Sequence, residues 1–209
     1  MSDIPKIEQH RFAVVAIASS TGGPRMVEQI IAGLPADLPV PIFIAQHMPE
    51  LFTRSFATRL DHKSALTVVH ADSAMPVLPG TVYVACGGRH MRVVRAEADR
   101  PAVEISDQPQ SLVYKPSADE LLRSVSEVYG RSSLAVVMSG IGRDGTLGAQ
   151  AIHRRGGVVL TQSAETCAVY GMPKSCVQAE LSDAELSPDQ IRRVILQLSP
   201  QHHAQALTR

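Results

Sequence analysis

The chain has 209 residues, and its 44% hydrophobic content is enough for one core in a single domain. Its 20 basic and 20 acidic side chains balance without long runs of one sign, which argues against nucleic acid or an anionic membrane surface as the partner. Its 3 cysteines have no CxxC spacing, so they indicate neither a zinc site nor a disulfide framework and suit a reducing cytoplasm.

No apolar run is long enough for a signal peptide or a membrane-spanning helix, so we expect a soluble protein without direct membrane insertion. We predict a polar leader over residues 1–12, one folded domain over residues 13–199 and a flexible tail over residues 200–209. The tail pair His202-His203 is interpreted as solvent-exposed, and no metal site is predicted.

Four short apolar runs rich in β-branched residues predict strands that are buried on both faces of a parallel sheet. They are Val14–Ser19, Pro41–Gln46, Leu134–Met138 and Gly157–Leu160. A different pattern occupies residues 74–107, where the runs TVYVA, HMRVV and AVEI are separated by turn residues. This rhythm predicts antiparallel strands attached to the main sheet, and hence an α/β fold with a mainly parallel sheet.

Helical patterns alternate with these strands. After Pro24, the apolar residues 27, 30, 31 and 34 follow the spacing of one helix face. The stretches SADE at 117–120 and SPDQ at 187–190 predict capping boxes that open two helices, with Gly130 as a stop for the first. A further helix is predicted from about Gly145 to Arg155.

Three loops that follow predicted strands carry reactive side chains: SSTGG at 19–23, QHMP at 46–49 and SGIGRDG at 139–145. In an open α/β sheet such loops gather at the carboxyl ends of the strands. They supply a serine, a histidine and an aspartate, which is the set needed for a nucleophile, a general base and an orienting acid. Taken singly, each residue also has an ordinary structural explanation, as a helix N-cap, a surface histidine or a turn residue.

The first loop has an alternative interpretation as an anion-binding turn. Its sequence matches neither GxxxxGK[ST] nor GxGxxG, and no lysine follows it. A helix N-terminus can nevertheless hold an anion. A small-molecule or anion-binding domain that uses Thr21–Gly23 therefore stays open beside a hydrolase.

Five strings in the sequence resemble the catalytic domain of the chemotaxis protein-glutamate methylesterase family, CheB. They are AIASSTGGP, IAQHMPELFTRSFATRL, YKPSADELL, VVMSGIGRDGTLGAQAI and VYGMPKSCV. The resemblance runs from about Val14 to Leu198, and the combination of STGG, QHMP, SGxGxDG and GMP in that order is highly specific. It implies a three-layer, doubly wound α/β sandwich with a mainly parallel sheet plus an antiparallel β-hairpin.

The resemblance also implies a catalytic triad of Ser20, His47 and Asp144. The family's serine directly precedes Thr-Gly-Gly, which selects Ser20 over Ser19. Neighbouring side chains leave a strand on opposite faces, so only one of the two hydroxyls can meet His47. The backbone N–H groups of Thr21 and Ile141 are the expected donors of an oxyanion hole.

The implied reaction is hydrolysis of glutamate γ-methyl esters on the cytoplasmic helices of methyl-accepting chemoreceptors, and many family members also deamidate receptor glutamines. No metal and no organic cofactor is expected, and the expected location is the cytoplasm. A non-catalytic, receptor-binding scaffold of the same fold is the alternative function.

Typical members carry an N-terminal receiver domain that covers the site until it is phosphorylated. Here about a dozen residues precede the first predicted strand, too few for such a domain. We therefore expect no switching by phosphorylation within this chain, which leaves control to a separate regulatory partner. A free-standing chain and an excised domain both stay open.

The residues after His47 have two interpretations. Phe52 and Phe56, four residues apart, predict the core-facing side of a helix. In the second interpretation, Met48, Phe52 and their neighbours line a groove for a receptor helix.

Overall fold

The structure is a computed structural model, and it describes residues 10–199. The predicted tail and most of the predicted leader lie outside the described residues. Within this range no helix is long and apolar enough to cross a membrane.

Residues 10–199 form ten strands and six α-helices. The strands are β1 (Val14–Ser19), β2 (Ile42–Gln46), β3 (Thr67–Ala71), β4 (Met75–Pro76), β5 (Thr81–Ala85), β6 (His90–Arg95), β7 (Pro101–Ser106), β8 (Ser133–Val137), β9 (Val158–Gln162) and β10 (Ala184–Leu186). The helices are α1 (Gly23–Ile31), α2 (Glu50–Lys63), α3 (Ala118–Tyr129), α4 (Thr146–Arg154), α5 (Met172–Gln178) and α6 (Pro188–Leu196).

The main sheet contains seven strands in the order β10-β9-β8-β1-β2-β5-β3, and all its pairs are parallel. Strand β1 is central, because the chain adds β2 on one side of it and later β8 on the other. The direction of winding therefore reverses at β1, and a crevice forms at the carboxyl ends of β8, β1 and β2. In open α/β sheets this crevice is where ligands bind.

Alternate residues of β1 face two different layers of helices. Val15 and Ile17 pack into a core with α1, α2 and α6, whereas Val14, Ala16 and Ala18 pack into a core with α3, α4 and α5. Because the strand is buried on both faces, its sequence is an unbroken apolar run. The expected three-layer α/β fold with a mostly parallel sheet is confirmed.

A second, antiparallel sheet has the order β4-β7-β6, and β6 packs against α3. The prediction of antiparallel strands is confirmed for the runs HMRVV and AVEI. It is wrong for TVYVA, since β5 lies parallel between β2 and β3 in the main sheet. All five residues of β5 are buried, as in the interior of a parallel sheet. Strand β3 was not predicted, because this edge strand mixes exposed and buried residues.

Both predicted capping sequences begin helices, but only one forms the complete box. Ser187 makes the reciprocal pair of hydrogen bonds at the start of α6. At the start of α3, Ser117 Oγ accepts a hydrogen bond from the Glu120 N–H at 3.3 Å. The reciprocal hydrogen bond, from the Ser117 N–H to the Glu120 side chain, is missing there, because the Glu120 carboxylate pairs with Arg123 at 2.7 Å and with Arg92 at 3.7 Å.

The helix boundaries at two glycines agree with the prediction: Gly130, with φ of 53°, ends α3, and Gly145 is the N-cap of α4. In α2, Phe56 is buried as predicted, at 1% exposure, but Phe52 is 60% exposed. The core side of α2 follows residues 53, 56, 57 and 60, so Phe52 lies one position outside it.

Candidate active site

The three reactive residues expected from the sequence lie on adjacent loops at one edge of the sheet. Ser20 follows β1, His47 follows β2 and Asp144 lies in the loop after β8. The backbone ladder continues past the strand ends, because the Ser20 N–H donates to Ser139 O at 3.0 Å and the His47 N–H donates to Ser19 O at 2.9 Å. These bonds hold the three loops in register with one another.

The two adjacent serines point into different layers. Ser19 is fully buried, and its Oγ, which has no hydrogen-bond partner within residues 10–199, lies against Gly23 at the start of α1. Ser20 is 7% exposed and faces Gly140 on the other side of the strand. Because Asp144 packs against α3, in the layer that Ala18 also faces, the alternation along β1 puts Ser20 and not Ser19 on the side of the acid.

The imidazole of His47 is hydrogen-bonded to Asp144. His47 Nε2 and Asp144 Oδ2 are 2.8 Å apart, and the two side chains are only 7% and 9% exposed. The second ring nitrogen, Nδ1, is buried and has no hydrogen-bond partner among the described residues. A proton on Nε2 would satisfy the carboxylate, which leaves the lone pair on Nδ1 free to accept a proton.

The carboxylate of Asp144 also closes the N-terminus of α3. It accepts hydrogen bonds from the N–H of Ala118 at 2.7 Å, the N–H of Asp119 at 3.0 Å and the hydroxyl of Ser117 at 3.0 Å. Burial alone would raise the pKa of Asp144, but the hydrogen bond from His47 and those from the helix outweigh it, so the pKa lies below its ordinary value. Asp144 is therefore ionised at neutral pH.

A second aspartate, Asp119, binds the N-terminus of α4 from α3. Asp119, in the first turn of α3, accepts hydrogen bonds through Oδ1 from the N–H groups of Gly145 at 2.9 Å and Gly148 at 2.8 Å, at the start of α4. Burial, with the nearby charge of Asp144, raises the pKa of Asp119. The helices α3 and α4 are thus joined by aspartates that each satisfy the other helix's free N–H groups.

An aromatic ring supports the histidine. Tyr114 stacks on His47 with parallel rings and a centroid distance of 4.2 Å. A cavity of about 570 Å³ opens beside it and beside Asp144. Its wall is largely apolar and includes Leu112, Val113, Tyr114, Gly142, Arg143 and Leu147.

The two expected oxyanion donors border the serine. Thr21 directly follows Ser20, and Ile141 follows Gly140, which packs so closely against the Ser20 side chain that a Cβ at position 140 would lie 2.6 Å from Ser20 Cβ. Neither the Thr21 N–H nor the Ile141 N–H donates a hydrogen bond to another of the described residues. Among the described residues, both N–H groups are therefore unpaired.

One contact expected of a triad is not formed. No hydrogen bond joins Ser20 Oγ to His47 in residues 10–199, although the two side chains lie on neighbouring strand ends. In enzymes without substrate this bond is often long, and it shortens when substrate binds. Across the same residues, no group of three His, Cys, Asp or Glu side chains is arranged to hold a metal ion.

Comparisons with known proteins place the chain in a family. The family model for the CheB methylesterase matches residues 15–195. The chain belongs to the CheB methylesterase family. Its fold is similar to the crystal structure of the Thermotoga maritima CheB methylesterase catalytic domain, with a TM-score of 0.86 and 38% identity over 90% of this chain and 98% of that one.

Two curated relatives of the CheB methylesterase family are similar along most of the chain. The protein-glutamate methylesterase/protein-glutamine glutaminase 1 of Oleidesulfovibrio alaskensis is 45% identical over 183 residues, which cover 88% of this chain and 49% of that protein. Enzyme 2 of the same name from Nitratidesulfovibrio vulgaris is 44% identical, over 88% of this chain and 50% of that protein. The chain thus spans about half the length of these relatives.

Sequence reasoning missed three residues of this CheB methylesterase-family site. The sequence pattern predicts Ser117 and Asp119 only as the start of a helix, and it assigns no role to Tyr114, which begins the string YKPSADELL. The signal for Asp119 is that it follows a predicted N-cap, where a carboxylate can bind free N–H groups of a neighbouring helix as well as its own. Nothing in the local sequence indicates the stacking of Tyr114, which depends on packing between distant loops.

We expect Asp144→Asn to lower the free energy of unfolding by about 2 kcal/mol at pH 7, because an amide replaces a charged acceptor of buried N–H groups. The folded pKa of Asp144 is depressed below the ordinary 3.8, so its contribution is present above that pH and lost as pH falls through the folded pKa. Urea unfolding at pH 7 and below pH 4 measures both. The control is Asp107→Asn, an exposed carboxylate 3.8 Å from Arg89, and an equal loss in the control would contradict the prediction.

Proposed function

We propose that this chain is a serine hydrolase that removes methyl groups from glutamate γ-methyl esters of chemoreceptors, with Ser20 as nucleophile, His47 as general base and Asp144 as orienting acid. The observation that carries the proposal is the His47–Asp144 hydrogen bond, which leaves the Nδ1 lone pair of His47 unpaired at the strand end next to Ser20. The names of the relatives give the substrate class.

In the proposed mechanism Ser20 Oγ attacks the ester carbonyl carbon while its proton passes to His47 Nδ1. The tetrahedral intermediate collapses when this proton is returned to the methoxy oxygen, so that methanol leaves and an acyl-serine remains. Water then attacks the acyl-serine while one of its protons passes to His47. His47 returns that proton to Ser20 Oγ as the acyl bond breaks, which releases the glutamate carboxyl group and regenerates the free serine. The sum is one ester and one water converted to one acid and one methanol.

Two features of the site would lower the barrier of these steps. The ionised Asp144 carboxylate stabilises the imidazolium that forms on His47, and its depressed pKa prevents it from taking the proton itself. The free N–H groups of Thr21 and Ile141 would donate hydrogen bonds to the oxyanion, and removal of one such donor typically costs about a hundredfold or more in rate. The mechanism uses no metal and no organic cofactor.

The same steps would deamidate a glutamine, with ammonia in the place of methanol as the leaving group. The relatives' names include protein-glutamine glutaminase. Proton transfer from His47 to the leaving nitrogen is then required, because an amide ion is a far poorer leaving group than an alkoxide. We propose this as a second activity of the same three residues.

The surface around the site suits a protein substrate in the cytoplasm. Exposed apolar side chains border it: Leu51 and Phe52 in the first turn of α2, Val113 and Leu147 at the cavity, and Ile141 in the loop after β8. A helix from a chemoreceptor could cover such a rim with its own apolar residues. This favours the interpretation of residues 48–54 as part of a groove.

We expect Ser20→Ala to reduce methanol release from methylated receptor by about 10⁴-fold or more, because it removes the proposed nucleophile. An organophosphonate should label the wild type once, at Ser20, and should not label His47→Ala. Ser19→Ala is the matched control and should keep the wild-type rate, since Ser19 Oγ faces α1. Full activity in Ser20→Ala would refute the mechanism, and receptor binding without methanol release or labelling would favour the scaffold alternative.

Two glycine substitutions separate the roles of the two faces of β1. A Cβ in Gly140→Ala would lie 2.3 Å from Met172 Sδ and 2.6 Å from Ser20 Cβ, and a Cβ in Gly23→Ala would overlap Ser19 Oγ and lie 3.1 Å from Ser19 Cβ. Both should lower the free energy of unfolding by about 1–3 kcal/mol through overpacking. Only Gly140→Ala should also slow methanol release, by about tenfold or more, because it displaces the nucleophile. Equal rates in the two variants would argue against Ser20.

We expect Phe52→Ser to raise KM for methylated receptor about tenfold, the loss typical of one well-placed aromatic contact. Its kcat/KM for a small soluble ester, N-acetylglutamate γ-methyl ester, should not change. The control is Leu78→Ser, an exposed apolar residue that precedes β5 and so lies at the opposite edge of the sheet. An unchanged KM for receptor in Phe52→Ser would exclude this surface from docking.

A further inference from the structure

A second histidine, His90, lies near the site and has no part in the mechanism above. It begins β6 and is fully buried, although histidine is usually found at least partly exposed. A buried imidazole needs partners for both ring nitrogens, since an unsatisfied polar group in the interior is destabilising. Its partners therefore indicate what holds it there.

Both ring nitrogens of His90 contact backbone groups that fix its tautomer. Nδ1 accepts a hydrogen bond from the Ser117 N–H at 3.2 Å, and Nε2 lies 3.3 Å from Pro109 O. An N–H can only donate and a carbonyl oxygen can only accept, so the ring carries its proton on Nε2 and is neutral. A protonated His90 would place two N–H groups against each other at Nδ1.

The contact with Ser117 links His90 to the proposed triad. The Ser117 hydroxyl donates to Asp144 Oδ1 at 3.0 Å, and Asp144 Oδ2 is 2.8 Å from His47 Nε2. Ser117 is also the N-cap of α3, so a displacement of its backbone would move the helix end that binds Asp144. The two histidines are thus joined through one serine and one carboxylate.

We propose that His90 is a positioning residue of this site, whose neutral ring holds Ser117 and, through Ser117, the carboxylate that orients His47. Its effect on the reaction rests on the function proposed above, but its effect on the geometry of His47 does not. Protonation of His90 would remove the acceptor for the Ser117 N–H and loosen the start of α3. The site would then lose its alignment at acidic pH.

The charges that face His90 oppose one another. Burial is the largest influence on its pKa and lowers it, and the positive charge of Lys115 acts in the same direction. The Pro109 carbonyl and the negative charges of Glu120 and Asp144 raise the pKa but do not overcome burial. Arg89 directly precedes β6 and Asp107 directly follows β7, and their side chains pair with each other at 3.8 Å.

The sign of the pH effect follows from this direction. Because the folded pKa of His90 lies below its ordinary value of 6.5, unfolding takes up a proton when the pH is below 6.5. The stability that neutral His90 provides is present above pH 6.5 and is lost as the pH falls toward the folded pKa. Activity should follow, with a steeper fall at acidic pH in the wild type than in a variant whose residue 90 does not titrate.

A matched control is a second hydrogen bond between β6 and α3 in which a side chain accepts from a buried backbone N–H. Ser124 Oγ, on α3, accepts a hydrogen bond from the Val93 N–H, on β6, at 2.9 Å, and Ser124 is buried. Ser124→Ala therefore leaves a buried N–H unsatisfied, as His90→Leu does, but two turns of α3 away from Asp144. It separates general destabilisation from positioning.

The experiment compares His90→Leu, His90→Asn and Ser124→Ala in the full chain. We expect His90→Leu to reduce kcat for methanol release about tenfold, the rate equivalent of one lost hydrogen bond. In His90→Asn, the amide oxygen can take the place of Nδ1 as acceptor, so most of kcat should return. The steeper acid fall of kcat should disappear in that variant, because asparagine does not titrate. Ser124→Ala should unfold at lower urea concentration with kcat and its pH profile unchanged.

A second measurement does not depend on activity. The exchange of the His47 Nε2 proton with water, followed by NMR, should be faster in His90→Leu than in the wild type and Ser124→Ala, because a loosened Asp144 protects it less. If His90→Leu does not fold, His90→Asn keeps the test: as the pH falls below 6.5, exchange should speed up more in the wild type than in His90→Asn, whose side chain does not titrate. Exchange and kcat in His90→Leu equal to those of Ser124→Ala would overturn the proposal. Absence of methanol release in the wild type would refute the proposed function, and the NMR result would still decide the role of His90.

Discussion

The site depends on the Asp144 carboxylate, which takes part both in the contact with His47 and in the N-terminus of α3. Asp144 binds the His47 ring and also accepts the free N–H groups of Ala118 and Asp119 at the start of α3. These donors offset the unfavourable burial of its charge, and they fix the carboxylate in one orientation. The direction of the His47 ring is therefore determined by a helix in the opposite half of the sequence as much as by the loop that carries it.

The surroundings of Asp144 show how two like charges can be held close together. Asp119 binds the start of α4 as Asp144 binds the start of α3, so each carboxylate faces the positive end of a helix. The two pKa values shift in opposite directions for different reasons. Burial, together with the charge of Asp144, raises the pKa of Asp119, whereas the hydrogen bonds from His47 and from the start of α3 outweigh burial and lower the pKa of Asp144. The member of the pair that bonds to His47 is the one kept ionised, as a stabiliser of an imidazolium must be.

The sequence predicted the strands that end at the site because each is an unbroken apolar run, which only a strand buried on both faces requires. The prediction for β5 was wrong because turn residues flank a hairpin strand and a short parallel strand alike. The prediction for Phe52 was wrong because the i, i+4 spacing of two phenylalanines does not locate a helix face that also includes residue 57. The loops carrying Ser20, His47 and Asp144 were predicted from their positions after strands. The contacts of Tyr114, Asp119 and His90 were not, because each joins segments whose proximity arises only from tertiary packing.

The pairing of His47 with a residue 97 positions later has a consequence for how the protein is made. Ser20 and His47 leave the ribosome early, but the carboxylate that orients the imidazole follows much later, and α3 and α4 must both dock before it is held. A nascent chain therefore carries an alcohol and a base without the arrangement that makes them reactive. In the proposed mechanism, ester cleavage therefore requires that synthesis has proceeded at least through α4, which ends at Arg154.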